Sequence, residues 1–238
     1  MPHPLVTVCI DDTDMPDTRG TNKLALSMLL ELRDKYRCHS LTKHPHLRHP
    51  DIPYTHGNNS CCIRLQRDPE LEVDALIDDV RRLMNEDFIE GSDPGLCVTT
   101  QPLPPAVQRF ALRSRREVLT MEEARALAGE HRIHLEGLGG TNQGIIGALA
   151  GAGTAAAGGP GAFLQLGDVP LDFGGLVSPG ELARLGIRHL IDHQSDLEVE
   201  PRPLWVPKKL RPSMRGGQPV VFVKPTQTGE LSFVRRDD

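Results

Sequence analysis

Six residues, Leu5-Val6-Thr7-Val8-Cys9-Ile10, form an apolar run that stops abruptly at Asp11-Asp12-Thr13-Asp14. A short apolar run of this kind reads as a buried strand, so the three aspartates stand where the strand leaves the core. Crowded carboxylates repel, and each raises the others' pKa unless something positive sits among them. A capped turn explains an aspartate at a strand end. A magnesium and phosphate site explains three, because magnesium keeps most of its waters and takes one or two carboxylates beside phosphate oxygens. In an extended segment Asp12 and Asp14 point to one side and Asp11 to the other. On this stretch alone both readings stand.

Elements then follow in an α/β order. A helix is expected from about Thr21 to Tyr36, with Leu24, Met28 and Leu32 on one face. Residues 38 to 59, rich in His, Pro and Asn, read as a long loop, and loops of that length are usually functional or mobile. Cys61 to Arg67 alternates as a strand, and Glu70 to Asn85 carries a clear apolar stripe from Val73 to Met84. A short strand through Thr99, a helix from Pro104 to Arg116, and a capping box at Thr120-Met121-Glu122-Glu123 come next. Residues 137 to 161 are almost wholly Gly, Ala and small polar residues, and read as a loop followed by a short helix over about 143 to 152. Ser178 reads as the N-cap of another helix, and Val220 to Val223 as a strand.

The chain has 238 residues, 38% hydrophobic and 25% charged, with a formal net charge of -5. That suits an ordinary globular protein with one sizeable core and argues against nucleic-acid binding through global charge. No apolar run approaches the roughly 20 residues of a membrane span, and Met1-Pro2-His3-Pro4 does not open a secretory signal. The five cysteines, Cys9, Cys38, Cys61, Cys62 and Cys97, lack metal-ligand spacing and read as small strand hydrophobes in a reducing cytoplasm.

Two further stretches carry binding chemistry. Gly57-Asn58-Asn59 closes the long loop, where glycine permits close backbone approach and asparagines supply donors; an Asx turn is the plainer reading. Gly137-Leu138-Gly139-Gly140-Thr141-Asn142-Gln143-Gly144 leads into the small-residue helix, so its amides suit an anion, although a flexible linker has the same composition. It has neither the P-loop nor the Rossmann glycine signature. The histidines His39, His44, His46, His49 and His56 lack zinc spacing and are expected to form a loop that becomes cationic at low pH, with Lys43 and Arg48 beside it.

In this order the motifs resemble one family, the archaeal agmatidine synthetases that modify the wobble cytidine of an isoleucine tRNA, in their N-terminal kinase-like domain. Ile10 to Asp14 with Arg19-Gly20, His49-Pro50-Asp51-Ile52-Pro53-Tyr54 with Gly57-Asn58-Asn59, Asp93-Pro94-Gly95, and Gln143 to Ala150 match collinearly from about Leu5 to Gly153. The resemblance implies an α/β fold, a mixed sheet with flanking helices, and ATP and magnesium as cofactors. It implies Asp11, Asp12 and Asp14 as catalytic and metal-binding residues. It also implies nucleotide contacts from Thr13, Arg19, Gly20, Lys23, Gly57, Asn58, Asn59, Gly139, Gly140, Thr141, Asn142 and Gly144. There are departures. Thr21-Asn22-Lys23 replaces the run in which a family threonine accepts a phosphoryl group, Gln143 replaces the glycine-loop arginine, and Asn59 replaces the last glycine of the asparagine motif.

The expectation is therefore an ATP- and magnesium-dependent enzyme of the phosphoryl-transfer type, cytoplasmic, with a kinase-like unit over 1–157 and an extension over 158–238 packed on the same core. The oligonucleotide-fold and zinc-ribbon modules of the family are not expected here, so the partners are a nucleotide and an unidentified small-molecule or protein acceptor in preference to tRNA. The basic tail, Arg202 to Arg215, suits either RNA contact or packing in a homodimer. Alternatives are a non-catalytic nucleotide-binding protein and a haloacid-dehalogenase-like phosphatase, whose Asp-x-Asp-x-Thr nucleophile motif Asp12-Thr13-Asp14-Met15-Pro16 does not complete.

Overall fold

The computed structural model describes residues 5–55, 57–66, 72–100, 102–227 and 229–235. His56, Arg67, Glu70 and the first four residues, all invoked above, lie outside that set. The N-terminal part runs β1 (Leu5–Asp11), α1 (Thr21–Leu32), β2 (Cys38–Pro45), β3 (Asn59–Gln66), α2 (Val73–Asp87), β4 (Gly95–Thr100), α3 (Pro105–Arg113), α4 (Met121–Glu130), β5 (His134–Gly137) and α5 (Gly144–Ala156). It continues through β6 (Ala162–Leu166), β7 (Val169–Pro170), β8 (Gly175–Val177), α6 (Pro179–Arg184), β9 (His189–Asp192), β10 (Glu198–Val199), β11 (Leu204–Val206), β12 (Ser213–Arg215), β13 (Gln218–Pro225) and β14 (Leu231–Phe233).

All strands join one mixed sheet, whose main path is β5-β4-β1-β3-β2-β6-β12-β13-β14-β11-β8. β1 is interior and antiparallel to both β3 and β4, while β9 runs parallel to β13 and β11 parallel to β14. The period of two along β1 sorts its side chains between two cores. Val6, Val8 and Ile10 meet Leu24, Met28, Leu76 and Val80 of α1 and α2. Cys9 meets Val107 and Phe110 of α3 and Ile145, Ala148 and Leu149 of α5. Each large apolar side chain so buried contributes on the order of 1.5–3 kcal/mol. A third cluster, including Phe163, Leu182, Leu204, Val221 and Leu231, lies in the C-terminal part of the sheet.

The mixed sheet with helices on both faces is the expected fold, and the capping boxes at Thr120 and Ser178 are both formed. Several expectations need correction. Residues 38 to 59 are not all loop, because Cys38–Pro45 is a strand paired with β3 and β6. Its inward residues are polar but satisfied: Thr42 Oγ1 lies 2.9 Å from His44 Nε2, and His44 Nδ1 lies 2.9 Å from the Pro160 carbonyl. His44 and His46, expected in a cationic loop, stay neutral at mildly low pH. Burial holds His44 down to about 4, with the charge of Arg64 adding to it. Burial and the neighbouring His44 and Arg115 hold His46 down to about 3. Cys9 and Cys62, directly opposite in the β1–β3 register, are joined as a disulfide, whereas Cys38, Cys61 and Cys97 are buried thiols. Among the described residues no helix is long and apolar enough to cross a membrane.

Candidate functional site

A cleft of about 1020 Å³ opens at the C-terminal end of β1. Asp11, Asp12 and Asp14 line it together with Gly20 and Lys23 at the start of α1, Gly57, Asn58 and Asn59 leading into β3, and Gln143, Gly144 and Gly147 at the start of α5. Lys43, Arg48, Thr55, Arg211 and Arg235 complete the polar wall. Four segments far apart in sequence thus converge, because β1 is central and the helices that flank it both begin at its carboxyl end.

The aspartates differ in setting. Asp11 closes β1 on the same face as Cys9 and is buried, with its carboxylate against Gly147 of α5. Burial, then the charges of Asp12 and Asp14, hold its pKa well above the usual carboxylate range, against a lowering hydrogen bond from the Asp12 backbone. Asp12 adopts a left-handed conformation, φ 51°, a region in which aspartate is enriched among side-chain-bearing residues. It turns the chain out of the strand, so the extended geometry expected for residues 11 to 14 is not kept. Burial raises its pKa to about 6, with Asp93 and Asp14 adding to the effect. Asp14 accepts hydrogen bonds from Thr21 Oγ1 and Thr55 Oγ1, both at 2.9 Å.

Two helix starts face this acid group. α1 begins at Gly20 and α5 at Gln143, and neither has a side-chain cap. Their N-terminal dipoles are directed at the cleft, where they favour negative charge. The carboxylates of Asp11, Asp12 and Asp14 are oxygen donors, suited to a hard cation. Among the described residues no three His, Cys, Asp or Glu side chains form a metal cage. A cation here would take one or two carboxylates and draw its remaining ligands from phosphate and water, as magnesium does.

Other residues singled out in the sequence either do not reach the cleft or are engaged elsewhere. Thr13 is buried and donates to Thr21 Oγ1 at 3.2 Å. Arg19 points the other way, onto the carboxylate and carbonyl of Asp87 at the end of α2. Asn58 lines the cleft, but its Nδ2 is spent on the Leu47 carbonyl at 2.7 Å. Gly139, Gly140, Thr141 and Asn142 wrap around the turn before β4 instead: Leu138 N bonds the Pro94 carbonyl, Gly144 N bonds the Asp93 carbonyl, and Thr141 N bonds the Asp93 carboxylate. The glycine loop does bind an anion, but an internal one. Thr21, Thr55, Gly147, Glu117 and Arg235 line the cleft without having been singled out as contacts. For Gly147 the small spacing Gly144, Gly147, Gly151 was an available signal, since it marks the α5 face that meets the sheet; the other four carried none.

The fold and cleft define a mixed-sheet α/β domain with an acid-ended central strand and helix N-termini directed at one anion-favouring cavity. The N-terminal part of the chain is similar to TiaS, the 2-agmatinylcytidine synthetase of an isoleucine tRNA: it is 30% identical over 152 residues to TiaS of Pyrococcus horikoshii, covering 63% of this chain and 35% of that protein. The corresponding protein of Archaeoglobus fulgidus is 32% identical over 155 residues, covering 62% of this chain and 35% of the relative. This chain therefore spans about a third of the length of those relatives. The crystal structure of apo TiaS superposes with a TM-score of 0.54 at 26% identity, over 63% of this chain and 35% of that one. A complex of TiaS with its tRNA and ATP superposes over 90% of this chain and 53% of its own, with a TM-score of 0.57 and 22% identity, a likeness of fold alone. No family model matches the chain.

Proposed function

We propose that this chain is an ATP- and magnesium-dependent enzyme of the phosphoryl-transfer type, related to the N-terminal part of the agmatidine synthetases. The observation that carries the reading is the convergence of Asp11, Asp12 and Asp14 with the uncapped starts of α1 and α5 on one cleft. TiaS, the relative, has been crystallised with tRNA and ATP, which supports a nucleotide as the ligand of this cleft.

Asp11 and Asp12 are the residues that would hold magnesium, which would supply charge neutralisation to the phosphates of ATP. The backbone at Gly20 to Asn22, with Lys23 and Lys43, orients the phosphates. Asp12 is also the group we place beside the acceptor, to orient it for transfer. Asp14 fixes Thr21 and Thr55 and so sets the spacing between α1 and the loop before β3. Positioning and preorganised charge of this kind are how phosphoryl transfer is accelerated.

We assign the nucleotide chemistry to residues 1–157 and a supporting, cleft-completing role to 158–238. A small molecule or protein is the acceptor we favour over tRNA. Within the basic tail Lys209 and Arg211 are paired with Asp172, and Arg215 with Asp196, which leaves less free charge for a phosphate backbone. The test is calorimetric titration with a non-hydrolysable ATP analogue, with and without magnesium, for the native chain and Asp12→Asn. Magnesium-dependent binding weakened at least tenfold by the substitution is expected; no binding in either condition overturns the reading.

A further inference from the structure

The interior of the sheet holds a charged group that the cleft does not use. Arg64 lies on β3, with β1 and β2 on either side, and is only 7% exposed. Its Nε donates to Ser40 Oγ, directly across on β2, at 3.1 Å, and that oxygen lies 3.1 Å from Nδ1 of His39 at the surface. Its Nη2 is enclosed and has no hydrogen-bond partner. Thr7, directly opposite Arg64 on β1, likewise has an enclosed Oγ1 with no partner. Two of the three such atoms among the described residues therefore belong to one register position.

An arginine cannot shed its proton to escape burial, and a buried charge without a counter-charge is strongly unfavourable. Buried charges are accordingly found paired. Around Arg64 the described residues supply hydroxyls and imidazoles but no carboxylate in ion-pair contact; burial alone acts on it. The position is far from the cleft: Thr7 precedes Asp11 by four strand residues, roughly 13 Å.

We propose that Arg64 anchors a small-anion site, entered past His39, in which chloride or a small oxyanion supplies the missing counter-charge beside Ser40. The site stands apart from the nucleotide reading, because none of Arg64, Ser40, His39 or Thr7 lines the cleft.

The test compares thermal midpoints of the full chain and Arg64→Met, at constant ionic strength, while sodium chloride, inorganic phosphate or sodium acetate is titrated separately. The native chain is expected to gain about 3 to 5 °C per tenfold rise of the bound anion above its dissociation constant. The variant is expected to show no gain. A response to chloride alone identifies a halide site, and a response to phosphate or acetate an oxyanion site. An equal response in the variant puts the anion elsewhere, and a native chain insensitive to all three leaves the guanidinium without a ligand; either overturns the proposal. Should Arg64→Met fail to fold, Ser40→Ala takes its place in the same three titrations: the native gain must be present and must weaken at least severalfold in the variant.

Discussion

Gly147 of α5 lies directly against the carboxylate of Asp11, so closely that a methyl group at that position would overlap Oδ2. One residue thus ties the packing of a helix to the placement of a candidate catalytic group. Gly147→Ala is expected to destabilise the fold by about 1–3 kcal/mol, the usual range for overpacking, and to abolish magnesium-dependent nucleotide binding by displacing Asp11. Gly129→Ala in α4 is the control, since nothing lies within 4 Å of a Cβ there; it is expected to be neutral or stabilising by up to about 1 kcal/mol. Urea unfolding together with calorimetry separates the two effects.

Asp12 gives the cleft a pH signature. Its pKa in the fold is about 6, above the ordinary 3.8, so between those values the folded chain binds more protons than the unfolded one. Stability is therefore highest below about pH 4 as far as this group is concerned, and declines as pH rises through 6. Asp12→Asn is expected to unfold at higher urea than the native chain at pH 7.5 and to lose most of that advantage by pH 4. The same substitution weakens magnesium-nucleotide binding, so stability and binding move in opposite directions. A variant less stable than the native chain at pH 7.5 would contradict the crowding described here.

These two residues also show where the sequence is readable. The apolar run into Asp11 locates the central strand, and the acid cluster stands at its carboxyl end, where the cleft opens. The polar strand Cys38–Pro45 was hidden because Ser40, Thr42 and His44 face inward and find polar partners there, so hydrophobic alternation fails as a signal. The glycine loop misled for a different reason. Its composition shows an anion-binding backbone, but only the fold reveals that Asp93 supplies the anion. In the C-terminal part most strands are two or three residues long, too short to carry a period.

Thr55 tethers the loop before β3 to the aspartates. Its hydroxyl donates to Asp14 at 2.9 Å while Thr21 holds the other oxygen. Thr55→Ala is expected to weaken nucleotide binding about tenfold, equivalent to about 1.4 kcal/mol, with a loss of global stability below roughly 1 kcal/mol because the bond is only partly buried. Thr21→Val removes the enclosed partner of the same carboxylate and is expected to cost more, about 1–3 kcal/mol in unfolding free energy. Equal effects of the two substitutions on stability would mean that the loop is a structural part of the domain.

His44 of β2 and His46 just beyond it set the acid limit. His44 Nδ1 faces a carbonyl, which only accepts, so Nδ1 carries the proton and Nε2 accepts from Thr42. Burial, reinforced by Arg64, holds this imidazole neutral down to about pH 4, and burial with His44 and Arg115 holds His46 neutral to about 3. An unfolded histidine gains its proton near 6.5, so below that pH the unfolded chain binds more protons and stability falls as the solution is acidified. The direction is opposite to that of Asp12, and the two overlap between pH 4 and 6. His44→Gln removes one member of the pair and is expected to flatten the acid limb while leaving the Asp12 effect in place. Nitrogen-15 spectra of the imidazoles check the premise directly: the signals of His44 and His46 should stay those of neutral rings at pH 5. Protonation of either ring near 6.5 would mean that β2 opens to solvent well before the domain unfolds.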